Sequence, residues 1–140
     1  MSKGDTFEND FLKLIFQAVS IADLARDAAA PATTLTVALH TADPGEAGTQ
    51  ATNETAYTNY ARQTVARTSG GWTVTNNSVS PAANIDFPEC GATPGAAITH
   101  FSVGTGVSNK LLYSGTVSPN ITMATGVVPR LKTTSTITED

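Results

Sequence analysis

The chain has 140 residues, a net charge of −4 at neutral pH and a single cysteine, Cys90. That length suits one domain whose core needs no metal or cross-link, and one cysteine excludes an intrachain disulfide scaffold. Charged residues make up only 14% of the chain, against roughly 25% in an ordinary soluble domain. Ser and Thr fill the gap. A hydroxyl-rich surface poor in charge suits a protein that packs against neighbours, although the β propensity of Thr accounts for the same composition. The eight Lys and Arg residues are scattered, so there is no basic patch to displace counterions from phosphates, and direct nucleic-acid binding is not expected. Arg130 and Lys132 would share one face of a strand, which reads as a solvated face.

Residues 5 to about 28 read as helical. Asp5 and Glu8 have the N-cap and N3 spacing of a capping box. Phe7, Phe11, Leu14, Ile15 and Ala18 then recur at helical steps, and Leu12, Phe16 and Val19 widen that apolar face. A helix apolar on nearly all sides is buried, in its own core or against a partner. Ser20 and Asp23 suggest a break and a further turn or two, ended by the Ala28–Pro31 run. The acidic residues before this apolar stretch do not make a secretory signal. The segment is also too short and too polar to span a bilayer.

From residue 33 the period changes to two. Leu35, Val37 and Leu39 alternate with Thr34, Thr36, Ala38 and His40, the pattern of a half-buried strand. Residues 45 to 59 form a long loop after the Asp43-Pro44-Gly45 turn. Further strands are expected at Tyr60–Arg67, Trp72–Thr75, Asn84–Phe87, Ile98–Val103, Lys110–Val117, Ile121–Ala124 and Val128–Ile137, with turns at Ser69-Gly70-Gly71 and Asn76-Asn77 and a Pro/Gly loop over 88–97. Turn signals about every ten residues point to an antiparallel sandwich or barrel of roughly eight strands in two sheets. The expected organisation is a helical segment, residues 1–32, attached to a mainly β domain, residues 33–140.

Catalytic clusters are not evident. His40 and His100 are the only histidines and lie 60 residues apart in strand patterns, so they meet only through folding, and satisfied or surface histidines are the expectation. Cys90 sits in the Pro/Gly loop with no histidine near it in sequence and reads as an incidental thiol. Asp43, Glu46 and Glu54 share a loop, but their spacing is too irregular for a calcium loop. Asp86 and Glu89 flank Pro88, where turn capping is the common role. The Gly-rich stretches, Gly104-Thr105-Gly106 among them, lack the spacing of a phosphate loop. No catalytic residue, metal or cofactor is assigned. Phe101, Tyr113, Trp72 and Phe87 fall in apolar strands and read as core. Tyr57 and Tyr60, beside a polar loop, read as rim packing or as exposed contacts.

An ordered set of segments resembles a family of small tailed-bacteriophage virion proteins, often labelled tail fibre. The set comprises Leu35 to Leu39 with His40 to Gly48, Tyr57 to Arg62, Gly71-Trp72-Thr73-Val74, Ala83 to Pro88, Thr99 to Gly104 and Leu111 to Thr116. Together with the N-terminal helix they cover nearly the whole chain. Within that family the set is similar to the cementing protein on the capsid of short-tailed Bordetella phage. The resemblance implies a jelly-roll-like β fold, a homodimer and attachment to the outside of a shell of major capsid protein; it transfers no catalytic residue. On it rests the expectation of a non-enzymatic structural protein, made in the host cytoplasm and built into the virion, without membrane or direct nucleic-acid contact. A tail-associated fibre or receptor-binding protein is the alternative. The residues expected to meet a partner are Phe7, Phe11, Ile15 and Phe16 of the helix, with Tyr57 and Tyr60.

Overall fold

The computed structural model describes residues 5–20, 32–106 and 109–139, with side chains from Asn9 onward. One helix, α1 (Asp5–Gln17), precedes nine strands: β1 (Thr34–His40), β2 (Gln63–Ala66), β3 (Trp72–Thr75), β4 (Ser78–Pro81), β5 (Ile85–Asp86), β6 (Ile98–Gly104), β7 (Leu111–Ile121), β8 (Arg130–Leu131) and β9 (Ile137–Thr138). The protein is thus mainly β with one short N-terminal helix, as the periodicity indicates. The strands group into three sheets, with orders β2-β1-β6-β7, β3-β4-β9 and β5-β8, where two sheets were expected. Prolines divide the strands: Pro81 ends β4, Pro88 follows β5 and Pro129 precedes β8. Each removes a ladder donor, so the pieces between them stay too short to extend a neighbouring sheet.

Contacts divide the chain into two units, each discontinuous in sequence. One contains residues 1–34, 65–84 and 131–140. Here β3 and β4 form a hairpin across Asn76-Asn77, with Thr75 paired to Ser78 and Trp72 to Pro81. Asn76 adopts the left-handed backbone of a tight turn (φ 53°), which Asn tolerates better than most residues. The residues of β4 carry only one large apolar side chain, Val79, so the sequence pattern left it as a connection; the hairpin pairing makes it a strand. β9 adds on the other side of β4.

The helix packs on this hairpin through a face rotated from the expected stripe. Leu12 and Phe16 are fully buried, whereas Phe11, Leu14 and Ile15 are half-buried. Phe16 meets Trp72 edge-on, ring centroids 4.7 Å apart, an arrangement the ring quadrupoles favour. Polar residues bracket this contact: Asn9 Nδ2 donates to the Asn76 carbonyl (2.8 Å) and Gln17 Nε2 to the Trp72 carbonyl (3.1 Å). A hydrophobicity pattern cannot register such bonds, so it could not tell which part of the widened apolar face meets the hairpin. The helix stops at Gln17 because Ala18 turns into the left-handed region (φ 56°). The further helical turns expected up to residue 28 lie outside the described residues.

Arg67 holds the helix end. Its guanidinium donates to the carbonyls of Leu14 and Ile15 and, at 3.3 Å, to that of Ala32. The last carbonyls of a helix have no partner within it and carry partial negative charge, so a planar cation is a fitting cap. Replacing Arg67 by Ala should destabilise the protein by about 1–3 kcal/mol, the cost of orphaned, partly buried acceptors, and should speed amide exchange in the last turn of α1. Lys, lacking the fork, should restore only part of the loss. Urea denaturation and hydrogen exchange read both effects.

The second unit contains residues 35–64 and 85–130. β6 is its central strand. It pairs antiparallel with β1, Thr36 opposite Gly104 and His40 opposite His100, and with β7, Val103 opposite Tyr113 and Ile98 opposite Ile121. Every residue of β1 from Leu35 to His40 is buried, so both faces of this strand are covered. β7 runs to Ile121, past the expected end at Val117, and passes through Pro119. Proline is tolerated there because the register of β7 against β6 shifts between Thr116 and Ile121, and β7 borders the sheet among the described residues.

Candidate functional site

The chemically most distinctive feature of the described residues is a buried polar network on one face of the β1–β6 pair. Strand alternation puts Thr36 and His40 of β1 and Ser102 of β6 on that face. Residues 50–54 of the following loop lie against it. His40 and Ser102 have no exposed surface, and neither does Gln50. His40 Nδ1 lies 2.9 Å from the Thr52 carbonyl and Nε2 lies 2.8 Å from Ser102 Oγ. A carbonyl only accepts, so Nδ1 carries the proton of the neutral ring and the Ser102 hydroxyl donates to Nε2. Gln50 Nε2 donates to the Thr36 carbonyl (2.9 Å) and at 3.4 Å to Ser102 Oγ. Gln50 Oε1 and the buried Thr55 hydroxyl have no hydrogen-bond partner among the described residues.

Gly104 makes room for this arrangement. A Cβ at that position would lie 2.3 Å from both Gln50 Cδ and the Lys110 carbonyl oxygen. The Gln50 amide therefore rests directly on the bare backbone of β6, a use of glycine that needs no unusual backbone angle.

A charged cluster continues the network. Glu54 bridges to His40 through backbone pairing, and its carboxylate receives Arg62 in a two-pronged pair, Nε to Oε1 at 2.6 Å and Nη2 to Oε2 at 2.7 Å. The Tyr60 hydroxyl donates to Glu54 Oε1 (2.8 Å) and accepts the amide of Leu39 (3.1 Å). Arg62 also reaches Asn109 Oδ1 at 2.7 Å. Bidentate charge-assisted bonds of this kind are the strong ones. Burial, followed by the Glu54 side chain, raises the Tyr60 phenol well above its ordinary range.

The Tyr60 ring stacks on Phe87 (centroids 6.4 Å apart, 10° between planes) and meets Tyr57 edge-on at 5.3 Å. Tyr57 is buried, donates to the Pro88 carbonyl at 2.8 Å and has its phenol pushed up to about 12, chiefly by burial and then by Cys90. Cys90 is itself buried.

A hydroxyl donating to a neutral imidazole is the geometry of a base-activated nucleophile. Here it is sealed from substrate, and its third member is a backbone carbonyl where a triad places a carboxylate. The network does structural work: it fastens the loop after β1 to the sheet. His40 is thus a satisfied buried histidine. His100, its cross-strand neighbour, is half-buried and bonded to Thr99 Oγ1 at 2.8 Å.

The loop carboxylates diverge. Asp43 Oδ1 accepts the Gly45 amide of its own turn while Glu54 is held by Arg62. Among the described residues no three His, Cys, Asp or Glu side chains come together as metal ligands do. Asp86 pairs with Arg130 across β5 and β8, two-pronged and exposed, and this hydrogen bonding holds its carboxyl below the usual range. Arg130, expected on a plain solvated face, is thus paired.

Of the six residues expected to meet a partner, Phe16 and Tyr57 are buried within their own units. Phe11, Ile15 and Tyr60 are half-buried. The side chain of Phe7 lies outside the described ones. Sequence reasoning passed over Gln50, Ser102, Arg67 and the Glu54–Arg62 pair, because uncharged or isolated polar residues carry no spacing signal until strands and loop are brought together.

The fold is mainly β with one short N-terminal helix, and its buried polar network is spent on internal fastening. The chain belongs to the family described as Podophage GP4 fiber I protein gp80, whose model matches residues 4–138. That is a family of phage structural proteins. No curated protein matches the chain. No helix among the described residues is long and apolar enough to cross a membrane.

Two outcomes follow for the network. Gly104→Ala should expel Gln50 and cost more than an ordinary strand Gly→Ala change, about 1–3 kcal/mol from the buried groups left unpaired; the denaturation midpoint reads it. Burial also lowers the His40 pKa below its ordinary 6.5, against the opposing pull of the Thr52 carbonyl and Glu54. The unfolded chain therefore takes up a proton on this ring at a higher pH than the folded one. The stability carried by neutral His40 is complete above pH 6.5 and is lost as pH falls from there towards the lowered folded value. His40→Gln should flatten that part of the stability–pH curve, leaving the carboxylate limb at lower pH unchanged.

Proposed function

We propose that the chain is a structural subunit of a podophage virion that acts by protein–protein contact, and that it is a component of the fibre assembly. The observation that supports this most directly is the family match over nearly the whole chain, with its fibre description. The structure is compatible in chemical terms. The polar constellation that most resembles catalytic machinery is buried, and the low charge content leaves hydroxyl and apolar surface for neighbours to cover. The proposed partners are other virion proteins and a second copy of the chain; nucleic acid and membrane are not among them. In α1 the half-buried side chains Phe11 and Ile15 are proposed as contact residues, with Tyr60 beside the loop.

A second reading places the chain on the capsid exterior as a cementing protein that binds the major capsid protein, with a jelly-roll-like domain. It is favoured by the ordered segments from Leu35 to Thr116 that resemble the Bordetella phage cementing protein. The two readings differ in stoichiometry. Quantitative mass spectrometry of purified particles should find the chain at fibre stoichiometry, far below the major capsid protein. A copy number that tracks the capsid protein would transfer the assignment to the capsid surface, and absence from purified particles would reject both readings.

A further inference from the structure

We propose that the turn Thr49–Thr52 is a lid that stays closed over the β1–β6 face while His40 is neutral and lifts off when His40 takes up a proton. The inference goes beyond the role proposed in the virion and does not depend on it. The turn is closed on itself. The Thr52 amide donates to the Thr49 carbonyl (3.0 Å), the Thr49 amide to Thr52 Oγ1 (3.1 Å) and the Ala51 amide to Thr49 Oγ1 (3.2 Å). Of its four residues only Gln50 is fully buried. Asn53, which follows, adopts the left-handed backbone (φ 53°) and is anchored separately: its carbonyl accepts the Thr41 amide and its side chain donates to the Asp43 carbonyl, both at 2.9 Å. A self-bonded turn beside a fixed residue can move as one piece. Among the described residues three bonds of 2.9 Å hold it down: His40 Nδ1–H to the Thr52 carbonyl, Gln50 Nε2 to the Thr36 carbonyl and the Gln50 amide to the Asn109 carbonyl.

The directions of these bonds make the fastening depend on the charge of one ring. In neutral His40 the Nε2 lone pair accepts the Ser102 hydroxyl. A proton on Nε2 makes that atom a donor, and two hydrogens then oppose each other across 2.8 Å. The Ser102 hydroxyl has to turn away, but Gln50 Nε2 beside it, at 3.4 Å, is another donor. Turning the Gln50 amide over to offer Oε1 would set that oxygen against the Thr36 carbonyl and break the bond that holds the lid. Either way a buried group is stranded, and lifting the turn lets water satisfy it. The charged groups facing the ring do not offset this. Glu54 in the loop favours the cation, but Arg62, which pairs with Glu54, opposes it, and so does His100 of β6. Desolvation, the largest influence on the ring, also opposes it. Beyond Asn53 the loop stays attached through bonds that involve neither His40 nor Gln50: Glu54 to Arg62 and Tyr60, and the Thr55 amide to the Leu39 carbonyl.

Amide exchange followed by NMR in the full-length protein, with the His40 ring titrated in the same samples, tests the lid. The open state exposes the ring and binds one more proton than the closed state. The protection factor of the Gln50 amide should therefore fall about tenfold per pH unit from 6.5 down to the His40 midpoint of the closed protein, and level off below it. The Thr55 amide should remain better protected than the Gln50 amide throughout. In His40→Gln the Gln50 protection factor should not change over that range. In Ser102→Ala, which removes the opposed hydrogen, the His40 midpoint should rise and the fall at Gln50 should shrink. Constant Gln50 protection through the His40 titration would overturn the lid, as would the same fall in His40→Gln. Equal protection at Gln50 and Thr55 at every pH would also overturn it, because the two would then open in one global event. If His40→Gln fails to fold, Ser102→Ala carries the test, and an unchanged His40 midpoint in that variant overturns the proposal.

Discussion

The constraint on which the second unit depends is that a buried loop must satisfy its polar groups. β1 is covered on both faces, and on the face of Thr36 and His40 the cover includes a loop segment rather than regular structure alone. Backbone enclosed without partners costs a kilocalorie or more per group. The chain meets this by spending side chains. His40 takes the Thr52 carbonyl, Gln50 takes that of Thr36, and the Tyr60 hydroxyl takes the Leu39 amide. Thr55 N–H adds a backbone bond to the Leu39 carbonyl at 2.9 Å. Remove the network and the loop has no reason to lie where it does, and one face of the sheet opens to water.

That arrangement commits several of the chain's few ionisable groups to internal contacts. With few charged residues in the chain, the bidentate Arg62–Glu54 pair and the paired Arg130–Asp86 take a visible share of them. The histidine best placed for acid–base work is held in one tautomer by two partners. Exposed charges outside these pairs, Glu46, Glu89, Lys110 and Lys132 among them, are scattered along the chain.

The first unit solves a different problem with similar means. A thirteen-residue helix is marginal on its own in water, and only part of its apolar surface reaches the hairpin. Leu12 and Phe16 supply the hydrophobic contact, while Asn9, Gln17 and Arg67 fix the helix by its ends through carbonyl groups. Polar bonds at both ends set the rotation of the helix, which apolar contact alone leaves loose.

The sequence by itself determined the fold class, because side-chain alternation and turn residues are local. β1 has the expected bounds to within one residue, β6 ends one residue later than expected, and the N-terminal helix begins where its capping residues are. It also determined that His40 and Cys90 have no partner chemistry nearby in the chain. Tertiary structure alone decided which strands share a sheet, that Ser78–Pro81 is a strand, and that Leu12 and Phe16, the latter expected to meet a partner, are the helix core. It alone joined Gln50, His40 and Ser102, since His40 and Ser102 are 62 residues apart in sequence. The physical reason is common to all of these. Periodicity reports what one element prefers to bury, whereas a hydrogen bond between distant residues depends on the register of strands that no local pattern specifies.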